Sequence, residues 1–338
     1  MKKTLIASAI AAASFSGVAV AESNLPTVYG NIQYAISSTN VDGGGSEIDH
    51  FDNGSTLGIK HEHEIAPGVT GFFKMELEGI NADDKANSNG IDGLDEAYIG
   101  VKSDSFGQIW VGSDDSTYES AVDVIVNFHE IGSDIGGSYD TGEGDMIQYM
   151  SPSFGGLTLG AAVQVNGDSK DGGKSYPYQL AAIYTVDALE VAFAMDSNDG
   201  DLKYSKDGLD DDTGAIDGDE YSPNNENTYG LRATYTMGDF SLTGEYQTRK
   251  DVADVYGLMG VYTLGANQFA LSYQMLDDDD SGDKKDTIAI QALHNLSDNM
   301  YVYVEGYLSN ADAEDEYKLE DKSGDERQIL ALGAVYYF

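Results

Sequence analysis

One pattern repeats along nearly the whole chain: segments of roughly ten residues in which apolar and polar side chains alternate. The segment TVYGNIQYAIS, for example, places Val28, Ile32 and Ile36 on one face and Asn31 and Gln33 on the other. About sixteen such segments can be counted, each long enough to cross a bilayer as a tilted β-strand. The repetition predicts an all-β protein whose strands share one apolar face and one polar face.

The last segment, RQILALGAVYYF, indicates which solvent the apolar face requires. Leu330, Leu332 and Tyr336 share its apolar face, and the sequence stops at Phe338. Soluble domains usually let their last residues fray into water. Here the alternation of apolar and polar residues continues up to an aromatic residue. This predicts that the apolar face contacts lipid.

The connections between the segments alternate between tight turns and long acidic loops. The tight turns include 66–68, 104–107, 151–156, 237–239, 264–267 and 297–299, and the long loops are 38–54, 81–93, 197–227, 276–286 and 310–327. A soluble sandwich would have loops of similar length at both ends. We therefore expect an up-and-down antiparallel barrel, closed because an open sheet edge cannot exist in hydrocarbon. About sixteen strands enclose a space too wide for side chains to fill, so we expect water inside.

The first residues resemble an export signal. Lys2 and Lys3 precede a short apolar stretch, and the small residues that signal peptidase prefers end at Ala21. A membrane anchor would need a longer apolar run with fewer serines. The sequence therefore predicts a signal peptide at 1–21 and one barrel domain at 22–338.

The charge balance excludes some partners. The chain has 18 Lys and Arg against 59 Asp and Glu, a net charge of −41, so neither nucleic acid nor anionic lipid headgroups are favoured partners. It has no cysteine, so an exported fold must be stable without disulfides. A hydrophobic fraction of 41% argues for an ordered fold. Such an acid excess is also typical of proteins that stay soluble at high salt, so a marine or halophilic source is expected.

Several segments, taken in order, resemble the general diffusion porins of Gram-negative outer membranes. They are TVYGNIQY, STLGIKHEHEIAPGVTGFFKMELE, DEAYIGVKSDSFGQIWVGS, IQYMSPSFGGLTLGAAVQ and the terminal YYF. The resemblance covers all of the predicted mature chain. It implies a homotrimer of sixteen-stranded barrels in the outer membrane and passive diffusion of small hydrophilic solutes. It also implies that a third long loop folds into the lumen, and that the second loop, here 81–93, latches neighbouring subunits.

Residues 114–143 fit that third loop. Ser116 and Glu119 have the spacing of a capping box, which predicts the start of a helix. An apolar stripe follows at helical intervals and consists of Tyr118, Ala121, Val122, Ile125, Val126 and His129. We expect the stripe to pack on the inner wall of the barrel; the alternative is a lid helix outside it. The acidic residues expected to project from this element into the pore are Glu119, Asp123, Glu130 and Asp134.

The wall opposite the third loop departs from the resemblance. Many family members carry a cluster of arginines there, whereas the matching positions here are Thr56, Asp95 and Gly142. We therefore expect no cationic wall, and hence a preference for cations. The predicted constriction residues are Thr56, Asp95, Glu119, Asp123, Glu130 and Asp134. The predicted lumen-wall residues are Asn31, Lys60, Lys74 and Glu76, with both lysines nearer the periplasmic turn.

Other motifs suggest metal sites. His61 and His63 lie two apart on one strand face, a spacing that can bind zinc, although polar residues beside a membrane interface explain them better. The acidic runs 207–220 and 277–280 lack the spacing of an EF-hand loop. We expect no cofactor beyond Ca²⁺ or Mg²⁺ held loosely at outer loops, for instance by Asp210, Asp211 and Asp212, where the ions would bridge to lipopolysaccharide phosphates.

Two rival functions remain. A barrel hydrolase would need Ser, His and a third polar residue close together. No acidic residue shares the strand face of His294, so we expect no enzyme. A substrate-specific channel for sugars or oligosaccharides, like a maltoporin or chitoporin, would need aromatic side chains along the lumen. Trp110, Tyr29 and Tyr118 are the candidates for such a track.

Overall fold

A computed structural model describes ten parts of the chain. These are residues 25–84, 90–91, 93–132, 135, 143–165, 176–198, 204–205, 220–221, 226–319 and 322–338. The predicted signal peptide lies outside the described residues, and so do Asp134, Gly142 and the predicted ion ligands Asp210, Asp211 and Asp212. All other predicted site residues lie within them.

Most of the described chain is β-strand. The strands are β1 (Thr27–Val41), β2 (Gly45–Asp52), β3 (Thr56–Ala66), β4 (Val69–Glu78), β5 (Gly93–Ser103), β6 (Gly107–Ser113), β7 (Met146–Met150), β8 (Leu157–Gln164), β9 (Tyr178–Val186), β10 (Leu189–Asp196), β11 (Tyr204–Ser205), β12 (Glu220–Tyr221), β13 (Thr228–Met237), β14 (Phe240–Arg249), β15 (Ala253–Leu264), β16 (Asn267–Asp278), β17 (Lys284–Ser297), β18 (Met300–Ala311), β19 (Tyr317–Leu319), β20 (Lys322–Gly324) and β21 (Glu326–Tyr337). An α-helix, α1 (Thr117–Val122), and a 3-10 helix, Val126–Phe128, lie between β6 and β7. In the part of the chain that the structure describes, no helix is both long and apolar enough to cross a membrane.

The strands close into an antiparallel barrel of sixteen positions, as predicted. The last strand, β21, pairs with β1 from Asn31↔Tyr337 to Val41↔Arg327, which closes the sheet. The main sheet contains 17 strands because β2 and β3 share one position: both pair with β1, one after the other along its length. Because the first and last strands pair, the main sheet closes on itself, which is the condition for a β-sheet in hydrocarbon.

The barrel is apolar outside and polar inside. On the outer face Leu180, Phe193 and Leu231 are 46–49% exposed. The alternate positions carry polar side chains, many of them buried inside, including Gln148, Gln164, Gln179, Gln247, Gln274 and Gln291. In a water-soluble protein the large apolar residues would be the buried set. The sorting therefore indicates that lipid surrounds the barrel.

Aromatic residues form two rows on the outer face. The row near the tight turns includes Tyr184, Tyr235, Tyr262, Phe269 and Tyr336, and the row near the long loops includes Tyr229, Tyr246, Tyr256 and Tyr273. Such rows mark the two interfaces of a membrane with water. Phe338 is 55% exposed next to the first row, so the aromatic chain end predicted to meet lipid does lie on the lipid-facing surface.

Three predicted loops are shorter than expected because strands extend into them. The predicted loop 38–54 is mostly a hairpin, since β1 continues to Val41 and β2 begins at Gly45. In the predicted loop 276–286, β16 continues to Asp278. The predicted loop 310–327 contains the hairpin of β19 and β20. These strand ends lie in water beyond the membrane and carry acidic side chains. They therefore lack the alternation of apolar and polar residues from which strands were predicted.

Candidate functional site

The loop between β6 and β7 is residues 114–145, the third loop. Its described part, residues 114–132, enters the barrel and lies on its inner wall. Its helix α1 begins at Ser116, whose hydroxyl accepts a 3.0 Å hydrogen bond from the Glu119 backbone N–H, as the capping pattern predicts. The helix contacts β8, β9, β10 and β13. Its buried side chains Tyr118, Ala121 and Val122 pack on the inward-facing Ala181, Ala192 and Ala194. The apolar stripe therefore covers a patch of small residues inside the barrel.

Inward-facing glycines provide room for this loop. A Cβ atom on Gly230 would lie 2.6 Å from Val122 and 2.8 Å from the Tyr118 hydroxyl. A Cβ on Gly257 would lie 2.8 Å from Ile125. These distances are shorter than side-chain contacts allow, so the third loop can reach the backbone of the wall only where a side chain is missing.

Charged residues of the wall bind the backbone of the third loop. Glu245 accepts hydrogen bonds from the backbone N–H groups of Val124, at 2.9 Å, and Ile125, at 3.1 Å. Arg232 donates from Nε to the Ala121 carbonyl at 2.9 Å, and its Nη2 pairs with Glu190 at 2.8 Å. Each group satisfies a partner that would otherwise be buried unpaired.

A second anchor holds the end of the described loop. Glu305, with no exposed surface, accepts hydrogen bonds from the backbone N–H groups of Glu130, at 2.8 Å, and Ile131, at 3.2 Å. His129 lies beside it and contacts the Ser272 hydroxyl at 2.7 Å through Nε2. The loop is thus fixed to the wall from β8 round to β18.

The predicted loop acids occupy different surroundings. Glu119 is partly exposed and accepts a hydrogen bond from Asn127 at 3.2 Å. Asp123 is only 6% exposed and accepts a hydrogen bond from Gln247 at 3.3 Å. The Glu130 carboxylate accepts a hydrogen bond from Tyr301 at 3.2 Å. Glu119 therefore remains open to water, whereas Asp123 and Glu130 lie against the wall.

The inner faces of β1, β3, β4 and β5 form the part of the wall that we call the open wall. The inward-facing residues at its centre are Tyr29, Asn31, Thr56, Lys60, Phe72, Lys74, Glu76, Glu96 and Tyr98. Nearer the tight turns, the inward-facing Glu62 and Lys102 form an ion pair with each other. The Asn31 amide donates to the Thr56 hydroxyl at 2.9 Å. Asp95 lies in a β-bulge of β5, where its side chain comes within hydrogen-bonding reach of Glu76. The predicted wall residues are thus neighbours on one surface.

The two wall lysines occur in this surface, directly opposite each other on β3 and β4. Lys74 forms an ion pair with Glu96 and lies 3.7 Å from Glu76, so carboxylates compensate its charge. Lys60 is exposed and lies 4.7 Å from the centre of the Tyr29 ring. The lysines do not outnumber the acids around them.

The third loop brings further acids towards the open wall. Asp114 accepts a 2.7 Å hydrogen bond from the Trp110 indole. Burial, together with the nearby charges of Glu96 and Asp115, raises the pKa of Asp114 to about 7. Burial and the charge of Glu119 raise the pKa of Asp123 to about 7 as well. These two carboxyl groups therefore change charge within the neutral pH range.

The sequence reasoning missed the residues that hold the loop. Each of these residues is charged and lies in the middle of a strand, on the face that carries the polar side chains. They are Arg232, Glu245 and Glu305. That position is a usable signal, because a charge in mid-strand must meet water or a polar partner. The partner itself could not be predicted, since it is a backbone group more than a hundred residues away.

The histidine and aromatic motifs singled out in the sequence lie mostly outside the lumen or are buried. The His61 and His63 rings stack 5.3 Å apart on the outer face, and no group of three or more metal-ligating residues occurs among the described positions. His294 also faces outward and contacts the Asn267 side chain at 2.9 Å. Of the predicted aromatic track, Trp110 is 7% exposed and Tyr118 is fully buried.

Together these observations define a membrane-spanning β-barrel with a polar lumen narrowed by a loop bound to its inner wall. Comparisons with known proteins agree. Residues 7–314 match the family described as Gram-negative porin. The chain belongs to the Gram-negative porin family, and it is a protein of the outer membrane.

Individual known proteins are similar to this chain over most or all of its length. A monosaccharide porin of a Halomonas species is 30% identical over 407 residues, covering 100% of both chains. The anion-selective porin of Comamonas acidovorans has a similar structure, with a TM-score of 0.70 and 18% identity over 93% of this chain and 99% of that one. The trimer form of OmpT, an outer membrane protein of Vibrio cholerae, gives a TM-score of 0.64 at 14% identity, over 93% and 99% of the two chains. At these identities the solved structures support the fold alone.

Proposed function

We propose that this porin forms a water-filled, cation-preferring channel for the passive diffusion of small hydrophilic solutes. The observation that carries the proposal is the excess of carboxylates where the third loop meets the open wall. Asp114 and Asp115 of the loop lie close enough to Glu96 of the wall to interact with its charge, and Asp115 also with Glu76 and with Glu119, while Lys60 and Lys74 supply two positive charges. Fixed carboxylates beside a low-dielectric wall attract cations and repel anions.

Screening does not remove this effect. At physiological salt the Debye length is about 8 Å, which is comparable to the radius of a pore of this kind. The field of the carboxylates therefore extends across the opening. Acidic residues on exposed outer loops also favour solubility at high salt, so only charges near the constriction enter the proposal.

The remaining parts of the proposal follow from the family. We propose a homotrimer in contact with lipopolysaccharide, exported through a signal peptide at 1–21 and consisting of one barrel domain, residues 22–338. Transport needs neither catalysis nor energy coupling. The Vibrio cholerae protein with the same fold has a trimer form, and the proposed assembly is of that kind.

The reversal potential of the purified protein in a planar bilayer tests the cation preference. In a KCl gradient we expect the sign that corresponds to cation selectivity. Glu119→Arg should lower the cation-to-anion permeability ratio by a factor of about five to ten, because two charge units act on ions about 8 Å away. The matched control is Glu314→Arg on an exposed outer loop, which should change the ratio little. An anion-selective wild-type channel would refute the proposal.

A second candidate function is a channel that favours monosaccharides. The specific observation behind it is the relative named a monosaccharide porin, which is similar over the full length of the chain. A saturable component in sugar uptake would support this candidate over general diffusion.

A further inference from the structure

The aromatic side chains inside the barrel fall into two groups. Those beneath or beside the third loop are buried to 7% exposure or less, and they are Trp110, Tyr118, Tyr301, Tyr303 and Tyr307. Those on the open wall are partly exposed, and they are Tyr29, Phe72 and Tyr98. Since the buried group is covered by protein, the open wall is where several partly exposed rings lie together, and Phe128 of the third loop is a further partly exposed ring among the described residues.

The strand register brings these rings together with charged groups. Lys60 pairs with Lys74, and Lys74 pairs with Tyr98 on the next strand, so the three residues form one row across β3, β4 and β5. In the neighbouring row Glu76 is opposite Glu96. All of these positions share the inward face, because the residues between them face outward.

The hydrogen-bonding capacity of this surface is mixed. Lys74 and its two carboxylates supply donors and acceptors side by side. Lys60 lies over the Tyr29 ring, and among the described residues no carboxylate is paired with it. The Phe72 ring meets the Tyr98 ring edge-on, with centroids 6.2 Å apart. The surface therefore combines a free ammonium group, paired carboxylates and half-exposed rings.

The third loop limits this surface on the other side. Asp114 is oriented by the Trp110 indole, and it is close enough to Lys74 and Tyr98 to perturb both electrostatically. A solute that passes between the loop and the open wall thus meets polar groups on two sides. Recognition sites for small molecules have this composition: apolar or aromatic area with a few fixed polar groups.

We propose that the open wall, with Lys60, Lys74, Glu96 and Tyr98 as its central residues, binds neutral monosaccharides during their passage. A ring of hydroxyl groups can accept hydrogen bonds from the ammonium groups and donate to the carboxylates. The apolar C–H face of the sugar packs on the aromatic rings. An anionic solute is disfavoured because acids outnumber lysines there. The proposal rests on the proposed function, since it needs an open aqueous channel.

Enantiomers separate binding from simple diffusion. D-glucose and L-glucose have the same size and charge, as do D-galactose and L-galactose, so an unspecific pore passes both forms of each pair at the same rate. A chiral binding surface favours one enantiomer over the other, so the two uptake rates differ. We expect uptake of at least one radiolabelled D-sugar into proteoliposomes, at micromolar concentration, to exceed that of its L-form by about threefold, an effect of the size of a single hydrogen bond.

Matched variants locate the effect. Lys60→Gln removes an exposed ammonium group that has no carboxylate partner in the described part of the chain, and it should bring the ratio of D to L uptake close to one. Tyr98→Ala should have the same effect. Lys250→Gln, at an exposed outer turn, should keep the wild-type ratio. Heat-resistant migration on gels shows that each variant has folded. Equal uptake of both enantiomers by the wild-type channel, or a preference that survives both wall substitutions, would overturn the inference alone. Uptake of neither enantiomer would refute the channel itself.

Discussion

Among single residues, Asp114 connects the constriction with pH. Its pKa of about 7 results from burial and from the charges of Glu96 and Asp115. Below that value the carboxyl group carries a proton and no charge, and above it the group is ionised. A surface carboxylate would remain ionised down to about pH 4. The charge of the constriction should therefore vary in a range where ordinary acids do not titrate.

The predicted consequence is a cation preference that increases with pH. Between about pH 5 and about pH 8 the wild-type permeability ratio of K⁺ to Cl⁻ should increase by a few-fold, as Asp114 and Asp123 ionise. Reversal potentials at a series of pH values measure it. Asp114→Asn should remove part of this change, while Asp123 still ionises over the same pH range in the variant. A ratio that is flat over this range in the wild-type protein would contradict the assignment.

Residue patterns gave the two faces of the barrel but not the contacts within it. Alternation placed Asn31, Lys60 and Glu76 on the inner face because strand geometry fixes the direction of every second side chain. It could not show that Asp123 and Glu130 lie against the wall, because that depends on where the third loop binds. The strand ends near Val41 and Asp278 were missed for a similar reason, since no membrane imposes alternation there.

Among the structural elements, the third loop depends most on distant parts of the sequence. Its helix could be predicted from the capping pattern at Ser116, which is local. Its position depends on glycines and charged residues of strands that follow much later, such as Gly230 and Glu245. A helix of six residues is not stable alone. Its order therefore comes from the wall to which it binds.

Filling the space under α1 should displace it. Gly230→Val adds a side chain where Val122 and the Tyr118 hydroxyl now lie, an overpacking that typically costs about 1–3 kcal/mol. We expect the helix to shift into the lumen, with a lower single-channel conductance and more current noise. Gly244→Val is the matched control, because its outward-facing position on β14 has free space. Wild-type conductance and noise in Gly230→Val would show that α1 is not seated as described.

In the whole molecule, the sorting of side chains is the reverse of that in a soluble protein. Leucine, isoleucine and aromatic residues cover the outside, while buried glutamines and charged pairs line the inside. This arrangement is stable only if hydrocarbon contacts the outer face and water fills the lumen. Exposing the apolar side chains to water, or the polar side chains to hydrocarbon, would be unfavourable in free energy at many positions. Cation preference and sugar binding both require the outer face in lipid and the inner face in water.

Chemical labelling of single cysteines tests this assignment most directly, because the chain has no cysteine of its own. Asn31→Cys and Ile32→Cys place the thiol on opposite faces of β1, and Asp312→Cys is an exposed outer-loop control. With the protein in a lipid bilayer and a charged, membrane-impermeant thiol reagent, we predict rapid labelling at positions 31 and 312 and none at position 32. Labelling at 31 should also reduce the channel current. Rapid reaction at 32 with protection at 31 would contradict the account.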